Sequence, residues 1–160
     1  MSLKISLIDD DPMTRTMLED FIREKYPFAI LTCWSTGEEA LANMKDSQDL
    51  IVMDYHLDSV SSGSLNGIEI FKKLKSRFPS TPVIFLSGQE ESKVAASTLL
   101  HGAHDYIVKN ENLFQRLGQS LNSVIGKSNT EAKRVGKKQL RLIIILVLLG
   151  ILLAAYLMKN

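Results

Sequence analysis

The chain has 160 residues, of which 45% are hydrophobic and 23% charged, with a formal net charge of +1. One cysteine excludes an intramolecular disulfide. The near-neutral total hides a split: residues 1–126 carry 12 Lys and Arg against 17 Asp and Glu, whereas residues 127–141 carry 6 against 1.

Short apolar runs alternate with amphipathic stretches from the start. Leu3 to Ile8 reads as a strand that ends in Asp9-Asp10-Asp11-Pro12. Asp11 followed by Pro12 suits an N-cap with proline at the first helical position. That helix should run to about Lys25, with Met17, Leu18, Phe21 and Ile22 on its buried face. Ala29 to Trp34 reads as the second strand, with Cys33 expected as a small buried residue. Thr36-Gly37-Glu38-Glu39 fits a capping box and opens a helix to about Lys45. Leu50 to Met53 is a nearly all-apolar strand that stops at Asp54, as a strand buried on both faces would. A Ser/Gly-rich loop, Asp58 to Asn66, precedes a helix from Ile68 to Phe78 with Ile68, Phe71 and Leu74 facing inward. Pro82 to Leu86 is the fourth strand and ends at Ser87-Gly88. Glu91 to His101 is a helix that Gly102 stops. Asp105 to Val108 is the fifth strand and ends at Lys109, and Glu111 to Ile125 is the last helix.

This is a βα unit repeated five times, so the fold class is α/β, a doubly wound five-stranded parallel sheet. Residues 1–126 are the size of one domain. A basic juxtamembrane linker, 127–141, follows, and Leu142 to Met158 reads LIIILVLLGILLAAYLM without a charge. As a helix that run is about 25 Å long at roughly 1.5 Å per residue, close to a bilayer's hydrocarbon core. It is apolar on every face and lacks the a/d heptad spacing of a coiled coil. We expect a single C-terminal transmembrane helix in the inner membrane. The basic cluster should hold the domain on the cytoplasmic side, against anionic lipid. The N-terminus, MSLKISLIDDD, has no apolar run of signal length.

In a parallel sheet the ligand site lies at the carboxyl ends of the strands. Here those ends carry Asp9 and Asp10, Asp54, Ser87 and Lys109. Crowded carboxylates repel unless a cation sits among them, and an all-oxygen ligand set suits Mg²⁺. Lysine and a hydroxyl opposite that metal suit a phosphoryl group. Taken singly, an aspartate after a strand is often a helix cap, which fits Asp11, and a lone Ser87 or Lys109 signifies little. The joint occurrence at four strand ends is the signal.

Residues 3 to about 125 resemble a response regulator receiver domain of two-component signalling. The resemblance rests on LIDDDP, DLIVMD, NGIEIFKKLKSRFPSTPVIFLSG and GAHDYIVK. It implies a flavodoxin-like fold in which Asp54 accepts a phosphoryl group from a histidine kinase or phosphotransfer protein. It also implies that Asp9, Asp10, Asp54 and the backbone carbonyl of His56 hold Mg²⁺. Ser87 would hydrogen-bond the phosphate, Lys109 would pair with it, and Tyr106 would turn inward on activation. The face formed by the fourth helix, fifth strand and fifth helix would then shift, and would serve a homodimer or an unidentified output protein.

The chain departs from the family in three places. The loop after Asp54, YHLDSVSSGSLNG, is long; Gly67 matches the family's glycine, and Asp58 stands where proline is common. Asn110 follows Lys109 where proline is usual, and a cis bond before Asn would cost about 3 kcal/mol or more. Gly88 follows Ser87 where alanine is usual, and would loosen that loop. His56 and Gln89 stand where side chains tune phosphate lifetime in the family.

The leading expectation is a membrane-tethered, stand-alone receiver that signals through protein contacts, not an enzyme and not a nucleic-acid binder. The alternative is a phosphorylation-independent, receiver-like adaptor at the membrane. A phosphatase using Asp54 as nucleophile is disfavoured, because Tyr55-His56 follows with no second acid two positions on.

Overall fold

A computed structural model describes residues 2–57, 65–88, 92–126 and 145–146, and the chain divides into two units, Met1–Leu121 and Asn122–Asn160. The first unit is built on five strands: β1 (Lys4–Ile8), β2 (Ile30–Trp34), β3 (Leu50–Asp54), β4 (Val83–Ser87) and β5 (Asp105–Val108). They form one sheet in the order β2-β1-β3-β4-β5, and every pairing is parallel. Helices α1 (Pro12–Lys25), α2 (Gly37–Asn43), α3 (Gly67–Arg77) and α4 (Ser92–Leu100) connect them, and α5 runs over residues 113–126. The strand order reverses between β1 and β3, which opens a crevice at their carboxyl ends.

β3 and β4 are buried at all five positions, which is why they read as unbroken apolar runs. One sheet face packs Ile51, Met53, Val83, Phe85 and Tyr106 with Ala40 of α2 and Ile70, Phe71 and Leu74 of α3. The alternate strand residues Ile5, Leu7, Val52, Ile84, Leu86 and Ile107 are fully buried and turn to the other face. Leu18 and Ile22 are the buried residues of α1, and Phe21 meets Phe114 with ring centroids 5.1 Å apart.

The helix ends show how local chemistry sets the boundaries. Asp11 Oδ2 accepts the Thr14 N–H at 2.8 Å and Pro12 opens α1, as expected. Thr36 caps α2 through the Glu39 N–H, but the Glu39 carboxylate turns to the Ser35 N–H and hydroxyl, so the box is only half made there. The complete capping box is Asn66–Glu69, at the start of α3. Gly102, at φ +91°, ends α4 in a Schellman motif: the Ala103 N–H reaches the Thr98 carbonyl and the Gly102 N–H the Leu99 carbonyl.

Three core expectations need correction. Met17 is 50% exposed, because the stripe facing the sheet runs through Leu18 and Ile22, one position further round the helix. Ile68 is only partly buried, and Ile70 takes the inward position in α3. Cys33 is half-buried rather than core, because β2 is an edge strand. Its thiol donates to Glu19 Oε2 at 3.5 Å, and burial, helped by the Glu19 charge, pushes it up to about 11.

Gly67 is where the fold touches the site most tightly. A Cβ there would overlap the Tyr55 carbonyl oxygen and lie 3.3 Å from that of Asp54. Both are backbone atoms at the end of β3 and cannot rotate away. Gly67→Ala is therefore expected to destabilise the domain by about 1–3 kcal/mol, the range for overpacking. A thermal melt would show this as a lowered Tm, and an unchanged Tm would contradict it.

In the second unit, residues 122–126 and 145–146 are helical, with Ile145 and Leu146 exposed. No helix among the described residues is long and apolar enough to cross a membrane. The expected linker, 127–141, lies outside the described residues, as does all of the expected span 142–158 except 145–146.

Candidate functional site

The carboxyl ends of β1, β3, β4 and β5 bring the expected residues together. Asp9, one residue past β1, is fully buried, and Asp54, the last residue of β3, is 7% exposed. Asp10 is half-buried. Carboxylate oxygens of Asp9, Asp10 and Asp54 all lie within 4.8 Å of one another.

Lys109, immediately after β5, reaches across to this cluster. Its Nζ donates to Asp54 Oδ2 at 2.6 Å and to Asp9 Oδ2 at 2.9 Å. The remaining oxygens are held by backbone: Asp9 Oδ1 accepts the Asp11 N–H at 3.0 Å, and Asp54 Oδ1 accepts the His56 N–H at 3.2 Å. Burial pushes the Asp9 carboxyl above its ordinary 3.8, and the Lys109 hydrogen bond and charge only partly offset this. For Lys109 burial pulls the other way, but hydrogen bonding and charge from Asp54, then Asp9, leave its ammonium above the ordinary 10.5. Three carboxylates against one ammonium leave room for a divalent cation, and the donor set is hard oxygen throughout. These residues fit Mg²⁺.

Ser87 is the last residue of β4, fully buried, and its carbonyl accepts the Lys109 N–H at 2.7 Å. That bond ties the serine and lysine loops together. Asn110, in place of the usual proline, does not displace the lysine. The described residues contain no cis peptide bond, and Asn110 Oδ1 accepts the Asn112 N–H at 3.0 Å in an Asx turn.

Tyr106 is 6% exposed and lies inward, its ring centroid 6.2 Å from that of Tyr55. The His56 side chain is exposed and stands edge-on to Tyr55 at 4.9 Å. Asp58 and Gln89 lie outside the described residues, as do residues 58–64 of the long loop. Beyond them the Leu65 N–H is held by Glu38 Oε1 at 2.8 Å, which fastens the loop's end to α2. Sequence reasoning missed Arg15, whose Nη1 donates to the Asp9 carbonyl oxygen at 2.6 Å. Its signal was its place one turn after the Asp11 cap, on the helix that leaves the site.

The comparisons agree with this geometry. The chain is 29% identical over 119 residues to the probable C4-dicarboxylate response regulator DctR of Bacillus subtilis, an alignment covering 74% of this chain and 50% of that protein. The chain thus spans about half the length of the DctR relatives it matches. The receiver domain of Francisella response regulator 1452 superposes with a TM-score of 0.67 at 25% identity, covering 79% of this chain and 99% of that one. Thermotoga maritima TrrA, solved in complex with Mg(2+)-BeF, superposes at 0.64 with 22% identity, covering 76% of this chain and 98% of that one. A family profile for the response regulator receiver domain matches residues 5–121, and the chain therefore belongs to the response regulator receiver domain family.

Proposed function

We propose that this chain is a membrane-tethered receiver that accepts a phosphoryl group on Asp54 and signals by changing its protein contacts. The observation that carries the reading is Asp54 itself: a carboxylate at a strand end, grouped with Asp9 and Asp10 and bonded to Lys109 at 2.6 Å. Phosphoryl transfer asks a protein for positioning and charge neutralisation more than for covalent help. Asp54 supplies the attacking oxygen. An O–P bond forms as the donor's N–P bond, in a phosphohistidine, breaks and its electron pair stays on the imidazole. Lys109 stays with the new acyl phosphate as its counter-charge, and Ser87 is placed to hydrogen-bond it. Asp9, Asp10, Asp54 and the His56 backbone carbonyl would hold Mg²⁺, which when bound would further neutralise charge on the phosphoryl oxygens.

The donor is a histidine kinase or phosphotransfer protein, and the output is a contact made by the face of α4, β5 and α5, with a partner protein or a second copy. The apolar run at 142–158 and the basic run before it support an inner-membrane anchor with the receiver in the cytoplasm. Confinement to the membrane would raise the effective concentration toward membrane partners. The alternative, a phosphorylation-independent adaptor, draws on the inward packing of Tyr106.

The test uses the full chain in detergent micelles with a small acyl-phosphate donor. Intact-mass spectrometry should show one added phosphoryl group that requires Mg²⁺ and disappears with a chelator. No mass gain in folded protein would overturn the phosphoacceptor reading in favour of the adaptor. Release of the chain from vesicles by alkaline wash would overturn the anchor.

A further inference from the structure

Adjacent residues on a strand send their side chains to opposite faces. Asp9 and Asp10 are adjacent, yet their carboxylates and that of Asp54 lie within one 4.8 Å cluster. The chain must leave strand geometry between them. β1 ends at Ile8, and the Asp9 N–H makes one long bond, 3.3 Å, to the Trp34 carbonyl. Past that point, the orientation of the Asp9–Asp10 peptide decides where Asp10 points.

The carbonyl of that peptide is the Asp9 oxygen held by Arg15 at 2.6 Å. Arg15 is itself well anchored, since its N–H bonds the Asp11 carbonyl at 2.9 Å in the first turn of α1. The Asp9 side chain does not depend on this contact, because the Asp11 N–H and Lys109 hold its two oxygens. Asp10, half-buried at the rim, is the member whose direction rests on the peptide.

We propose that Arg15 is a positioning residue for metal binding: by fixing the Asp9–Asp10 peptide it turns the Asp10 carboxylate toward Asp54. The inference rests on the Mg²⁺-dependent reading above. A guanidinium suits the task, because it remains charged and gives a short charge-assisted bond from a planar, pre-organised group. The competing role is a plain staple between α1 and β1, which would affect stability without acting through Asp10.

The experiment measures Mn²⁺ affinity by electron paramagnetic resonance on the full chain in micelles. The variants are Arg15→Ala, Arg15→Lys, Asp10→Asn and the double variant Arg15→Ala with Asp10→Asn. Arg15→Ala should weaken Mn²⁺ binding about tenfold or more, the usual effect of losing a group that orients a ligand. Arg15→Lys should recover part of it, and remains the working variant if Arg15→Ala does not fold. In the Asp10→Asn background, Arg15→Ala should cost no further affinity. Wild-type affinity in Arg15→Ala, or a loss that adds in full to that of Asp10→Asn, would overturn the inference. No Mn²⁺ binding by the wild type would overturn the underlying reading, and the inference with it.

Discussion

Asp54→Asn should abolish phosphoryl labelling and leave the sheet folded. Asparagine has the shape of aspartate, so its oxygen can still accept the His56 N–H that Asp54 Oδ1 accepts now. Lys109 keeps Asp9 as a partner at 2.9 Å. What is lost is the anionic oxygen that attacks phosphorus, and an amide oxygen does not replace it at neutral pH. Removing one of three clustered carboxylates also relieves like-charge repulsion, so the variant should melt at or above the wild-type temperature. Intact mass after incubation with Mg²⁺ and an acyl phosphate, alongside a thermal melt, separates these effects. A full phosphoryl gain on the variant would place the acceptor elsewhere.

Lys109→Met should be nearly as severe, for a different reason. It leaves Asp9 and Asp54 buried with no ammonium between them. Breaking a buried ion pair on one side costs up to about 3–5 kcal/mol. Asp9 limits the cost here, because burial already pushes its carboxyl up and it can take a proton. Labelling should fall to near background, since the phosphoryl group loses its protein counter-charge.

The deficit should depend on pH. The Lys109 value is raised in the folded chain, so its contribution is fully present below the ordinary 10.5 and is lost as pH rises through the folded value. Wild type and variant should therefore converge in strong alkali. Asp9 is also raised, so its protonated form is favoured in the fold, and that advantage fades as pH rises from 3.8 through the raised value. The variant's deficit should accordingly shrink in acid and be widest near neutrality. Denaturant melts across pH would show this, and a pH-independent difference would show that Lys109 acts by packing alone.

The alternation of elements was legible because it depends on local pattern. The four-residue apolar runs of β3 and β4, each ended by a polar residue, read as strands covered on both faces. The rim was legible because parallel strands deliver their last residues to one place, so Asp9, Asp54, Ser87 and Lys109 needed only correct strand ends. What stayed hidden depends on neighbours in space. Met17 and Leu18 are equally apolar, and only the sheet's position decides which is covered. The Glu39 carboxylate takes the Ser35 N–H and hydroxyl in place of the Thr36 N–H that a capping box requires, and sequence cannot rank the two. Cys33 looked like core until the strand order put β2 at the edge. Arg15 had only its place one turn after the Asp11 cap to announce it, because its partner is a backbone carbonyl, which every residue has.

The shielded thiol of Cys33 makes the chain carry its own clock. With its value near 11, only on the order of one thiol in ten thousand is ionised at neutral pH, and the thiolate is the reactive form. Released from Glu19 and from burial, a thiol at its ordinary 9.0 ionises roughly 100-fold more. Opening of the β2 edge should therefore raise the alkylation rate at the chain's single sulfhydryl. A brief pulse of thiol reagent, followed by weighing the chain, times the excursions of that strand without any introduced label.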